Sequence, residues 1–233
     1  MKRHKAGCYC AYFYFSGMNL TILIVAVTCI TSLLAFNNPV MNYNLLFYPY
    51  RVFRFKEWHR LISGCFIHLN YTHLILNMIA LYSFGVFVEN SFDYVFHEKG
   101  RLLYVLLYFG GVIFADIPSL IKDRDNQQST GLGASGGVSA VVFAAILLNP
   151  FSKIYLMFIP IGIPSFVFGP LYVAYCIYMD NYGHQYKTGI TLIDNASHSA
   201  HLWGSVFGFI FPIIFAPWLF MRFIGLLTNG AIS

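Results

Sequence analysis

Long apolar runs broken by short polar clusters organise this chain. No Asp, Glu, Lys or Arg occurs in residues 6–50, 61–88, 126–152, 154–179 or 195–221, and residues 102–121 form a further window interrupted only by Asp116. A helix needs about 20 residues to cross a ~30 Å hydrocarbon core. Each window therefore has room for one span, and the first, at 45 residues, must hold something besides. Backbone polar groups must be satisfied internally in lipid, and these runs far exceed the length of a barrel strand, so helices are the natural reading. The pattern predicts an all-α polytopic membrane protein with six transmembrane helices. Residues 1–18 would form a short cytoplasmic segment, 19–225 the membrane domain and 226–233 a short tail.

The first helix is expected from about Asn19 to Phe36, closed by Asn37-Asn38-Pro39. Residues 40–60 set Tyr43, Phe47, Tyr48, Tyr50, Phe53, Phe55 and Trp58 among Arg51, Arg54, Lys56 and Arg60. That mixture suits the headgroup layer and predicts a structured interfacial segment. Helix 2 should follow directly and run to about Glu89, whose carboxylate would tether its inner end. Helix 3 should occupy 101–121, with the polar stretch 122–130 as a water-exposed loop. Helix 4 should begin after Gly131-Leu132-Gly133-Ala134 and stop near Asn149-Pro150. Pro160, Gly162, Pro164, Gly169 and Pro170 predict a fifth helix kinked or locally unwound in its first half. Helix 6 should start near Ala196, with Asp194, Asn195 and Ser197 as candidate caps.

Composition agrees with the pattern. The chain is 58% hydrophobic and 10% charged, against roughly 45–50% and about 25% in an ordinary soluble domain. The net charge of +5 comes from 14 basic residues scattered along the loops, which argues against a nucleic-acid partner. Met1-Lys2-Arg3-His4-Lys5 reads as a cytoplasmic anchor rather than a cleaved signal. Alternating the loops from there puts seven Lys/Arg on each side, a tie broken towards a cytoplasmic N-terminus if the four in 51–60 lie in the interface. No convincing transit peptide is visible, so the expected location is a bacterial-type plasma membrane. Cys8, Cys10, Cys29, Cys65 and Cys176 match no zinc or disulfide spacing and read as small apolar fillers.

Polar residues inside spans carry the functional information in such a protein. His68, His73, Asn77, Glu89, Asp116, Ser135, His198 and His201 are these residues. Helices 2, 4 and 6 cross in the same direction, and His68, His73, Ser135, His198 and His201 all lie near their starts, so the polar groups gather on one side. From Ser135 to Asn149 is 14 steps along the chain, about 21 Å at the helical rise, which leaves Ser135 recessed by about 10 Å in a ~30 Å core. Only a water-filled dip makes such a site useful. Gly136, Ala140 and Ala144 form a small-residue stripe on helix 4, and Gly204 and Gly208 form another on helix 6. Packing these faces together would bring Ser135 within reach of His201, which could take its proton. His73 and Asn77, four apart on one helix face, and the glycine-rich helix start would supply donors to an oxyanion. A metal site from His198, His201 and His73 lacks an HExxH motif and a nearby carboxylate, so no metal or other cofactor is expected. Asp194 reads as a helix cap rather than a third triad member, and Asp116 and Asp180 lack a GxGD context.

These residues resemble a known family. Gly133-Ala134-Ser135-Gly136 is similar to the GxSG motif of rhomboid intramembrane serine proteases. Ala200-His201-Leu202-Trp203-Gly204, continuing to Gly208, resembles their AHxxGxxxG motif, and His73 to Asn77 their HxxxN. Trp58 and Arg60 resemble the Trp-Arg signature of the family's first loop, with His59 intervening. The resemblance implies a six-helix rhomboid-like bundle with Ser135 as nucleophile and His201 as general base. It assigns His73 and Asn77, with the Ser135 backbone N–H, to the oxyanion hole, and puts His68, His198 and Gly133 in supporting positions. The substrates it implies are transmembrane proteins bound within membrane lipid, with the fifth helix as a lateral gate. Some members stack the catalytic histidine on an aromatic residue four positions after the serine; here that position is Ser139, so another group must orient His201. The alternatives are a catalytically inactive relative that binds transmembrane clients, and a transporter, which would need a polar pathway through the full membrane thickness.

Overall fold

The computed structural model describes residues 19–155, 161–182 and 198–229. Asn19 opens α1 (Leu20–Phe36), its side chain accepting from the Ile22 N–H at 3.2 Å. Glu89 reaches across to the same helix end, accepting from the Leu20 and Thr21 N–H groups at 2.8 and 3.0 Å and from Thr21 Oγ1 at 2.8 Å. Helix α1 is polar inward and apolar outward. Thr21, Thr28 and Ser32 are fully buried, whereas Ile22, Leu23, Ile30 and Leu34 are exposed. Such inversion suits a helix surrounded by hydrocarbon, where apolar side chains have no reason to hide.

Pro39 and Pro49, each at a first helical turn, start the short helices α2 (Pro39–Leu45) and α3 (Pro49–Phe55). One turn, α4 (Arg60–Ser63), and a 3₁₀ turn at Gly64–Phe66 lead to α5 (Tyr71–Phe96), capped by Asn70. A 3₁₀ turn at His97–Lys99 separates α5 from α6 (Gly100–Lys122). Then come α7 (Ser135–Leu148), a two-stranded antiparallel sheet of β1 (Lys153–Tyr155) and β2 (Gly162–Pro164), α8 (Ser165–Tyr182), α9 (His198–Phe215) and α10 (Trp218–Asn229). The stretch Tyr71–Lys122 and the helix His198–Phe215 are long and apolar enough to cross a membrane; Leu20–Phe36, Ser135–Leu148 and Trp218–Thr228 are apolar but shorter.

Helix α7 is the axis of the fold, with twelve of its fourteen residues buried. On one side a Cβ built at Gly204 or Gly208 of α9 would run into the backbone carbonyls of Gly136 and Ala140. On the other side Gly111 meets the Ala140 methyl group and Gly136 meets that of Ala115. Small residues thus let α6 and α9 both approach α7 at backbone distance. The α6 stripe of Gly111 and Ala115 is not among the expectations from sequence.

Several expectations need correction. Helix α5 starts at Tyr71 rather than directly after residue 60, because Gly64 is needed beneath Phe47, with a built Cβ 3.1 Å from the Phe47 N, and as an acceptor for the Gly133 N–H at 2.9 Å. It also continues past Glu89 to Phe96. His68 therefore lies before the helix rather than in it. Of the two alternatives for the start of the fifth helix, the described residues show unwound rather than kinked chain: β2 ends at Pro164 and helical structure starts at Ser165. The last apolar window is divided by Ala216-Pro217, and α10 runs past residue 225 to Asn229. The candidate caps Asp194, Asn195 and Ser197 lie outside the described residues.

Candidate active site

The loop before α7 is held in place from three directions. Phe47 and Gly131 exchange backbone hydrogen bonds at 2.9 and 2.8 Å, and the Gly133 N–H donates to the Gly64 carbonyl at 2.9 Å. The Ala134 N–H lies 3.4 Å from His68 Nε2. With that nitrogen accepting, His68 carries its proton on Nδ1, which faces Ser32 Oγ at 3.0 Å, and Ser32 donates to the Phe66 carbonyl at 2.9 Å. Buried His68 thus ties α1 to the backbone next to Ser135. Gly133 has φ +110°, and a Cβ there would sit 2.7 Å from His73 Cε1. Only glycine suits this position, both for its backbone and for the imidazole against it.

Ser135 is the first residue of α7, which no side chain caps. Its N–H and those of Gly136 and Gly137 have no acceptor within the helix and form the positive end of its dipole. Ser135, Gly136 and His73 line a cavity of about 260 Å³ together with Asp116, Ser119 and Asp123 from the end of α6. His73 also packs edge-on against His68, ring centroids 5.0 Å apart. Asn77 spends one amide hydrogen on the His73 carbonyl at 2.9 Å, within its own helix, and does not line the cavity.

His201 stands one turn before Gly204, whose Cα lies against the Gly136 carbonyl. The α7–α9 contact therefore sets His201 and Ser135 at facing helix starts. His201 Nε2 is buried with no hydrogen-bond partner among the described residues, so it does not bond to Ser135 here. His198, one turn earlier, packs its ring against His201 at 6.1 Å and against Tyr175 at 5.6 Å.

The rhomboid-domain family model matches residues 56–218, more than half of the chain and all of the elements just described from α4 to α9. The chain belongs to the rhomboid family. It is thus an integral membrane protein. Among curated relatives, "RHOMBOID-like protein 12, mitochondrial" of Arabidopsis thaliana is 29% identical over 165 residues, covering 66% of this chain and 48% of that protein. "Presenilin-associated rhomboid-like protein, mitochondrial" of Rattus norvegicus is 28% identical over 149 residues, 64% of this chain and 36% of the relative. "Rhomboid-like protein 11, chloroplastic" of Arabidopsis thaliana is 29% identical over 101 residues, 43% and 32% of the two chains. The match spans less than half the length of each. Their organellar names do not fit the bacterial-type plasma membrane expected from the sequence.

One residue of this rhomboid's site escapes the sequence reading. Tyr172 of α8 lays its ring parallel to His201, with centroids 6.2 Å apart and planes 16° from parallel. Its hydroxyl is 3.4 Å from Ser139 Oγ. The signal in the sequence is the aromatic stripe Phe168, Tyr172 and Tyr175 at helical spacing, opposite a position 139 that lacks a ring.

Proposed function

We propose that this rhomboid is an intramembrane serine endopeptidase with six spans, cutting transmembrane proteins by a Ser135–His201 dyad. The observation that supports the reading is the backbone contact of Gly136 with Gly204, which packs the helix start bearing His201 against the helix start bearing Ser135, itself on a polar-lined cavity. Ser135 Oγ attacks the scissile carbonyl while His201 takes its proton. The negative oxygen that results is met by the N–H groups at the start of α7 and by His73, which lines the cavity with Ser135, whereas Asn77, bonded within its own helix and away from the cavity lining, is left to hold the His73 turn. Collapse returns the proton from His201 to the leaving amine, and water from the cavity then releases the acyl group by the same steps in reverse roles. On this reading the serine and histidine come within hydrogen-bond reach in the substrate complex. Names of the relatives support an organellar membrane as the location.

A second reading is a rhomboid that binds transmembrane clients without cutting them, which the missing Ser135–His201 hydrogen bond favours. Proteoliposomes decide between the two. Wild type and Ser135→Ala are compared on fluorescent single-span substrates and on labelling by a fluorophosphonate. The expected result is cleavage and labelling by wild type, both at background in the variant. Equal cleavage by both removes the dyad, and neither cleavage nor labelling by wild type leaves the client-binding reading.

A further inference from the structure

We propose that Tyr172 is the positioning residue for His201, holding the imidazole from α8 in place of a ring on α7. This rests on the protease reading above. A general base attached by two rotatable bonds needs a surface to fix its ring plane, because a misplaced base loses rate even when it is present. Ser139, one turn after Ser135, offers only a hydroxyl to that space. Tyr172 fills it. Its ring is nearly parallel to the imidazole, the offset-stacked arrangement that aromatic pairs prefer at 4.5–7 Å. An aromatic face also favours the imidazolium formed when His201 takes the serine proton.

The tyrosine is itself held on both sides. Phe168 stacks on it at 5.5 Å and 22°, and Phe143 of α7 packs against it at 6.0 Å. Its hydroxyl meets Ser139 Oγ at 3.4 Å, so the phenol tip is anchored on the helix that carries the nucleophile. Serine at 139 leaves the room this requires, and an aromatic side chain there would contend with Tyr172 for the same face of His201. The consequence is that the base is oriented by α8.

The test uses the full chain in proteoliposomes and the rate of Ser135 labelling by a fluorophosphonate, which needs no knowledge of the natural substrate. Tyr172→Leu is expected to lower the rate by about tenfold, the upper end of what a ring pair is worth. Tyr172→Phe, which keeps the stack, stays within about twofold of wild type on the same scale. In the double variant Tyr172→Leu with Ser139→Phe, a ring offered from α7 restores most of the lost rate. With a cleavable single-span substrate the Tyr172→Leu loss falls on kcat and leaves KM nearly unchanged. If Tyr172→Leu does not fold, Tyr172→Met carries the same comparison, since a flexible thioether fills the volume. Wild-type labelling by Tyr172→Leu overturns the proposal, as does a loss that Ser139→Phe cannot restore and that tracks thermal stability. An unlabelled wild type instead overturns the protease reading on which it rests.

Discussion

At the scale of single residues, the sharpest constraint falls on Gly133. Its φ of +110° lies where side chains are rarely tolerated, and the nearest atoms to a built Cβ are those of the His73 ring, at 2.7 and 3.1 Å. An alanine must either rotate the loop or push the imidazole away, so Gly133→Ala is expected to cost about 1–2 kcal/mol from backbone strain alone. It should lower fluorophosphonate labelling more than stability, because the displaced group is the oxyanion donor of the proposed mechanism. Gly225 supplies the contrast: nothing lies within 4 Å of its Cβ position in α10. Gly225→Ala is expected to leave labelling unchanged and to stabilise by up to about 1 kcal/mol through helix propensity. A thermal melt and a labelling rate for the two variants check both statements, and a Gly133→Ala enzyme as fast as wild type would remove His73 from the site.

Among the helices, the decisive contact is α9 on α7. The atoms nearest a Cβ at Gly208 are the backbone of Ala140, which cannot swing aside as a side chain end can. Gly208→Ala therefore has to lift α9, with a cost of about 1–3 kcal/mol typical of overpacking, and it carries His201 away from Ser135 with it. At Gly169, where the nearest atom is Ile146 Cδ1 at an ordinary 3.4 Å, alanine should be tolerated. Melting and labelling of the pair separate the two cases, and equal behaviour would mean that the close approach is not required. This contact was legible from the spacing of small residues, as were the limits of α1 and α7 from Asn19, Asn37 and the Asn149-Pro150 pair. The start of α5 was not, since Leu61–Phe66 is as apolar as any helix. Its break comes from partners distant in sequence, Phe47 and Gly133. The β1–β2 hairpin was hidden for a related reason: three-residue strands leave no period to read, and prolines mark where helix is disfavoured without saying what replaces it. Tyr172 was hidden because ring stacking between α8 and α9 is a property of their arrangement, and spacing on one helix cannot reveal it.

Across the whole molecule, the segment 40–60 acts as a brace on the loop that presents Ser135. The Tyr48 hydroxyl donates to the Gln127 carbonyl at 2.6 Å, and Phe47 pairs with Gly131. Within the segment, buried Arg60 bonds the Tyr43 and Leu46 carbonyls at 2.7 and 2.9 Å, and Glu57 sits between Arg60 and Arg51. Arg54–Asp125, with both partners 58% exposed, adds little to this. The Arg51 hydrogen bond, joined by that of Arg60 and opposed by partial burial, holds the Glu57 carboxyl down at about 2 against an ordinary 4.5. A carboxylate whose folded value is depressed stabilises fully above the unfolded value and loses that contribution as pH falls through the folded one. The brace should therefore be intact above pH 4.5 and weaken progressively towards pH 2. Glu57→Gln is expected to melt below wild type at neutral pH, with the gap closing over that window. Because Arg60 is shielded, moderate salt should change the gap little, whereas an exposed pair would be screened. Melting both proteins in non-ionic detergent from pH 7 down to pH 2 measures this. A gap that stays constant with pH would show that the charge on Glu57 does no bracing and that the segment is held by its backbone bonds alone.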